Sequence, residues 1–244
     1  PYHIRNWNTS RVTDMSDVFK ANTGVADKVY TKVYKFNSKL NWDTSNVTTM
    51  EGMFRLCTSF NQALTFNTSN VTNMKSMFHM CQAFNQPINF DTSKVTDMSA
   101  MFQLCQVFNQ PVTFNTSKVT KMSLMFDSCN EFNQPVEFNT TNVITMRGMF
   151  FDCTDFNQPV QFDTSKVTNM ELMFSMCKSF NQPITFKTSK VTNMDSMFIK
   201  CLVFNKLIQF DDTSKVTTMN SMYHLCLRFN QPVRFDKTKV TDIE

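Results

Sequence analysis

Apolar residues fall on a fixed beat along this chain. From Phe36 to Phe235 the same pattern returns every 24 residues, with one 25-residue step at Asp211-Asp212, and in the stretch 108–131 one beat has the form F-N-Q-P-V-x-F-[DN]-T-S-K-V-T-x-M-x-x-M-F-x-x-C-x-x. A repeat of this length signals a stacked architecture in which no single unit can bury its own apolar face. Two spacings alternate inside the beat. Val112 and Phe114 flank Thr113, the period-two pattern of a short strand with one inward face, and Pro111 opens it, where a missing N–H is tolerated. Met122, Met125, Phe126 and Cys129 follow at i, i+3, i+4 and i+7, which predicts a short amphipathic helix, with Thr120 as its N-cap. The polar run Asn115 to Lys118 joins the two as a turn.

The expected fold is an α/β repeat solenoid with one short parallel strand plus one short helix per 24-residue coil. It forms a single domain over 1–244, with about nine or ten coils, partial at both ends. One insertion, at 20–35, interrupts the beat, and its Val29 to Tyr34 stretch alternates like a protruding strand.

Composition strengthens this reading. The chain has 26 Phe, 19 Met and 8 Cys, and nearly all of them fall on six columns of the repeat. A catalytic cluster would be confined to one place, so residues repeated in every coil read as core. The cysteines (57, 81, 105, 129, 153, 177, 201 and 226) form one column. Their even number invites disulfides. On packed helices about 8–10 Å apart, however, they would lie beyond the roughly 4.4–6.8 Å between bridged Cα atoms, so reduced structural thiols are expected.

Several function classes drop out. Only three glycines occur, Gly24, Gly52 and Gly148, which leaves no glycine-rich phosphate loop. The three histidines are far apart, so no multi-histidine metal centre and no cofactor is expected. His79 and Cys81, like His224 and Cys226, are two residues apart and would not share a helix face. Arg55, Gln103 and Asp127 fill the histidine slot in other coils, so the slot reads as a variable surface position. A net charge of +4 does not call for a nucleic acid, and no apolar run approaches the ~20 residues that span a bilayer. With no unique nucleophile–base pair or paired carboxylates, a non-enzymatic protein is expected.

Six glycosylation-type sequons, at Asn8, Asn46, Asn67, Asn70, Asn115 and Asn139, read as the repeat's own spelling of its turn. The Asn column (37, 61, 85, 109, 133, 157, 181, 205, 230) is expected to form a buried ladder whose amides satisfy backbone groups at each bend.

The run Val95-Thr96-x-Met98-x-x-Met101-Phe102-x-x-Cys105-x-x-Phe108-Asn109-Gln110-Pro111 resembles the repeat of BspA-like leucine-rich repeat surface proteins. More closely, it resembles the roughly 25-residue surface-protein repeat of mycoplasma and Listeria lipoproteins. The likeness covers residues 36–235. It implies a leucine-rich-repeat-like solenoid at the cell surface or outside the cell, engaged in adhesion or partner binding.

Candidate binding residues follow from the columns. The outward row of the predicted strands is Thr65, Asn89, Thr113, Glu137, Gln161, Thr185, Gln209 and Arg234, a mixed polar face for a protein or carbohydrate ligand. A basic column (Arg11, Lys94, Lys118, Lys166, Lys190, Lys215, Lys239) reads either as a solubility stripe or as a site for anionic glycans. No polar cap is visible at either end, so self-association through the solenoid ends into a filament or sheath is the alternative reading. Recognition of a regular array such as ice, through the Thr-Ser columns, is a third.

Overall fold

The computed structural model describes residues 4–19, 34–236 and 238–241. Most of the insertion, residues 20–33, lies outside the described residues, and so does most of its predicted protruding strand. The rest is a stack of coils in which each residue lies against its equivalent in the next coil, 24 positions away except across the insertion (Asp14 to Thr49) and in the last step (Asn193 to Thr218). A continuous line of parallel bridges runs Asp14, Thr49, Asn73, Asp97, Lys121, Thr145, Asn169, Asn193, Thr218.

The predicted helix does not form. Among the described residues the regular helical element is one 3-10 turn, Ile4–Asn6. The M-x-x-M-F-x-x-C segment is a chain of tight turns instead. In the coil of Phe102, the amide of Met101 donates to the carbonyl of Met98 and that of Cys105 to Phe102. Alternate amides leave the coil: Met98 donates to Lys121, Ala100 to Ser123, Phe102 to Met125 and Leu104 to Asp127, at 2.7–3.1 Å. A helix would consume these donors internally. Eight residues are too few to offset the cost of helix nucleation, whereas a stacked coil offers each donor a carbonyl next door.

This geometry requires left-handed residues. Ala100 (φ 55°) and Leu104 (φ 62°) occupy the third position of successive turns, the place that demands positive φ in a type II turn. The pattern recurs in every coil, from Leu56, Ser76 and Met80 through Ser221 and Leu225. Gly52 (φ 60°) and Gly148 (φ 55°) sit in one of these columns, four repeats apart. Thr120 is not an N-cap. Its amide and hydroxyl both donate to the Thr96 carbonyl of the coil before, at 2.9 and 3.2 Å.

Strands are sparser than the period-two pattern predicts. Regular pairing among the described residues is confined to β1 (Ile184–Phe186) and β2 (Ile208–Phe210), which are parallel with Ile184 opposite Ile208. In the coil that supplies β2, Leu207 replaces the usual proline. That backbone is released from the fixed φ and lost donor that proline imposes elsewhere.

The interior is one apolar cluster built from the repeated columns. Phe54, Phe78, Phe102, Phe126, Phe150, Phe174, Phe198 and Tyr223 form a parallel stack with centroids 5.5–5.7 Å apart. A second stack, from Phe60 to Phe204, has steps of 5.8–6.0 Å. Hydrogen-bonded backbones on the bridge line sit about 4.8 Å apart.

Candidate binding surface

Each bend is held by side chains of the N-T-S run. The Asn115 Oδ1 accepts from the amide and hydroxyl of Ser117 at 3.1 and 2.7 Å, closing an Asx turn. Thr116 points inward and is buried, its hydroxyl donating to the Asn139 carbonyl of the next coil at 3.0 Å. Aspartate serves equally well: Asp91 accepts from Ser93, and that bond lowers its carboxyl below the usual range. Asn8, Asn67 and Asn139 repeat this geometry, while Asn46 and Asn70 spend their side-chain N–H on Ser10 and Ser45 carbonyls. The sequons thus have structural work at all six positions.

The Asn ladder is present, but it is half-buried and becomes exposed at Asn37 and Asn230. From Asn37 to Asn205 each side-chain oxygen serves the next coil. Asn85 Oδ1 accepts from the Asn109 amide and from Gln110 Nε2, both at 3.0 Å. This rung pins the Pro-Val-x-Phe segment where its own backbone lacks regular pairing.

That segment displays the candidate row. Thr65, Asn89, Thr113, Glu137, Gln161, Thr185, Gln209 and Arg234 are all exposed, between inward Leu, Val or Ile and Phe on either side. Thr185 and Gln209 are register partners across β1 and β2. Beside the row runs a second exposed line that includes Pro87, Pro111, Pro135, Pro159 and Pro183. Open depressions lie between neighbouring coils here. One of about 530 Å³ is bordered by Pro111, Phe114, Gln134 and Glu137, and its neighbour of about 540 Å³ by Pro135, Phe138, Gln158 and Gln161. The strip offers apolar proline faces and hydrogen-bonding amides at a constant interval.

The basic column is exposed, but not as a bare cationic stripe. Lys94 and Lys166 donate to Asn70 and Asn142 of the coil before, at 2.8 and 2.7 Å, and the Asx-turn aspartates run alongside. The histidine slot is not a surface position throughout. His79 is half-buried and Asp127 is buried, bonded by Gln103 Nε2 at 2.6 Å and Ser128 Oγ at 2.7 Å. Burial lowers the His79 imidazole and raises the Asp127 carboxyl from their ordinary values.

The cysteines do not lie on packed helices. Each described thiol from Cys81 onward donates to a phenylalanine carbonyl of the previous coil, as Cys129 does to Phe102 at 3.0 Å. Among the described residues no three of His, Cys, Asp and Glu converge to hold a metal ion, and no helix is long and apolar enough to cross a membrane.

Sequence reasoning missed the turn face. Columns 55, 56, 58 and 59, with their equivalents in later coils, vary at least as widely as the outward row. Taking the coil of Phe108, the four residues are Asp127, Ser128, Asn130 and Glu131; two coils on they are Ser175, Met176, Lys178 and Ser179. The signal was the column-by-column variation outside the apolar positions.

A family model described as "Mycoplasma protein of unknown function, DUF285" matches residues 2–37, 24–113, 112–187 and 185–244. Neither a curated protein nor a solved structure matches the chain.

Proposed function

From its membership of this mycoplasma family of unknown function, to which the chain belongs along almost its whole length, we propose that it is a non-enzymatic repeat scaffold displayed at a cell surface. In this reading the outward row binds an extended protein or glycan. One observation carries it: the interior uses the same residue at the same column in coil after coil, while the exposed row changes residue at nearly every step. A fold that holds its core constant and varies an open, regularly spaced strip is suited to reading a polymer one unit per coil. The prolines supply rigid apolar faces, and Asn89, Gln161 and Gln209 supply amides that donate and accept.

Arrays of glycans and extracellular-matrix proteins test the proposal. The wild-type chain should retain at least one ligand, and Glu137→Lys with Gln161→Lys should weaken it about tenfold or more by placing two like charges beside the central depressions. Absence of any ligand, or binding that is indifferent to these substitutions, contradicts the assignment of this row.

A further inference from the structure

The turn face carries an ordered pattern of charge. In the Phe108 and Phe132 coils it presents Glu131, Asp152 and Asp155; in the Phe156, Phe180 and Phe204 coils it presents Lys178, Lys200 and Arg228. Glu131, Asp155, Lys178, Lys200 and Arg228 are exposed, and Asp152 is half-buried. Asp152 (φ 51°) and Lys200 (φ 59°) occupy the same left-handed column two coils apart. At the basic end three leucines stand in water where earlier coils are mostly polar or better covered: Leu202 is 36% exposed, Leu225 44% and Leu227 74%.

Read backward about the Phe156 coil, two charged columns of this face complement themselves, while Asp155 falls opposite Val203 and Lys178 opposite its own copy. Reversal exchanges Glu131 with Arg228 within one column and Asp152 with Lys200 within another. It also exchanges Phe151 with Ile199, and maps Met176 and Ser179 onto themselves. A two-fold axis lying across the face performs this operation, since it reverses the coil order while keeping each column in place. An isologous interface needs this kind of self-complementarity.

We propose that the turn face is a homodimer interface through which two copies pair side by side and antiparallel, on a two-fold axis crossing the Phe156 coil. Each dimer gains two Asp152–Lys200 and two Glu131–Arg228 pairs, and Leu202 and Leu227 are covered opposite Thr154 and Asn130. Lys178 lies at the axis, flanked by Asp155 of both copies, and its flexible stem lets the two ammoniums separate. The outward row stays uncovered, so the pair presents two ligand strips and gains from bivalent attachment. The interface stands independently of what that row binds.

Sedimentation across a concentration series tests it by charge exchange. Asp152→Lys and Lys200→Asp put into each position a residue its column already accepts. Each variant alone should dissociate about tenfold or more readily than wild type, by setting like charges opposite one another. An equimolar mixture of the two should recover the dimer, because both pairs are rebuilt across the heterodimer; a misfolded variant could not complement. Glu131→Arg and Arg228→Glu repeat the exchange at exposed positions. Raising the salt from about 50 mM to about 500 mM should weaken the wild-type dimer. A wild-type monomer at all concentrations, or a dimer unaffected by the single reversals, overturns the proposal, and so does a mixture that stays monomeric.

Discussion

Cys105 Sγ lies 3.0 Å from the carbonyl oxygen of Phe78 in the preceding coil and donates to it. The same bond recurs along the column to Cys226, which donates to Phe198 at 2.8 Å. The thiols are therefore part of the polar bookkeeping of an apolar interior. Burial pushes Cys57 up to about 12 and raises Cys105 further. Cys226 is the exception: the neighbouring Cys201 thiol, which could turn its proton toward a Cys226 thiolate, favours that thiolate and holds the group below its ordinary value. Alkylation of the native protein near pH 8, followed by mass spectrometry, should modify Cys226 first and leave Cys81 to Cys177 untouched. The unfolded chain should take up eight adducts.

Gly148 tests the left-handed column. A Cβ added there would meet Leu124 Cδ2 at 2.6 Å and would carry the cost of positive φ as well. Gly148→Ala should lower stability by about 1–3 kcal/mol in denaturant titrations. Ser76→Gly, in the same column with φ 55°, should change it by less than about 1 kcal/mol, because relieved strain and added unfolded-state freedom oppose each other.

The Asn ladder is tested at Asn85. Replacement by alanine leaves the Asn109 amide and the Gln110 side chain without their shared acceptor and should cost about 1–3 kcal/mol. Asn85→Asp keeps an acceptor oxygen and should cost less. Equal losses from the two substitutions would show that the rung is not held by that oxygen.

His79 gives the fold a pH dependence of definite sign. Burial is the main cause of its lowered affinity for a proton, and Arg55 adds to it. The unfolded chain therefore binds a proton as pH falls through about 6.5, before the folded one does. Stability should fall as the medium is acidified from neutrality through that value, and level off once the folded imidazole also titrates. His79→Gln, which places there the residue its column holds at Gln103, should flatten the slope of melting temperature between about pH 7 and pH 5.

How much of this was legible beforehand depends on which atoms did the work. The interior was readable because burial acts on side chains, and columns such as Met122, Phe126 and Cys129 declare themselves by recurrence. Thr113, Glu137 and Gln161 were correctly placed outward because Val112 and Phe114 point in. The helix was not readable. Turns that alternate internal and coil-to-coil hydrogen bonds bury the same i, i+3, i+4, i+7 set as a helix does, so spacing alone cannot tell the two apart. The distinguishing clue was Gly52 and Gly148 at a multiple of the repeat, marking a column of positive φ that Leu124 and Leu172 occupy without advertising it. The mycoplasma side of the family resemblance is matched, whereas the helix expected of a leucine-rich repeat is absent from the described coils. The turn face escaped because its pattern is antisymmetric across coils and invisible within any one of them.

The amide of Phe102 decides the matter. Here it donates to the carbonyl of Met125 in the next coil at 2.9 Å, where an α-helix would direct it to Met98, four residues back. Scalar coupling across that hydrogen bond, measured by NMR on deuterated protein, should correlate the Phe102 nitrogen with the Met125 carbonyl carbon. A correlation to Met98 instead would mean that the coils are helical and that the ladder described here does not hold them together.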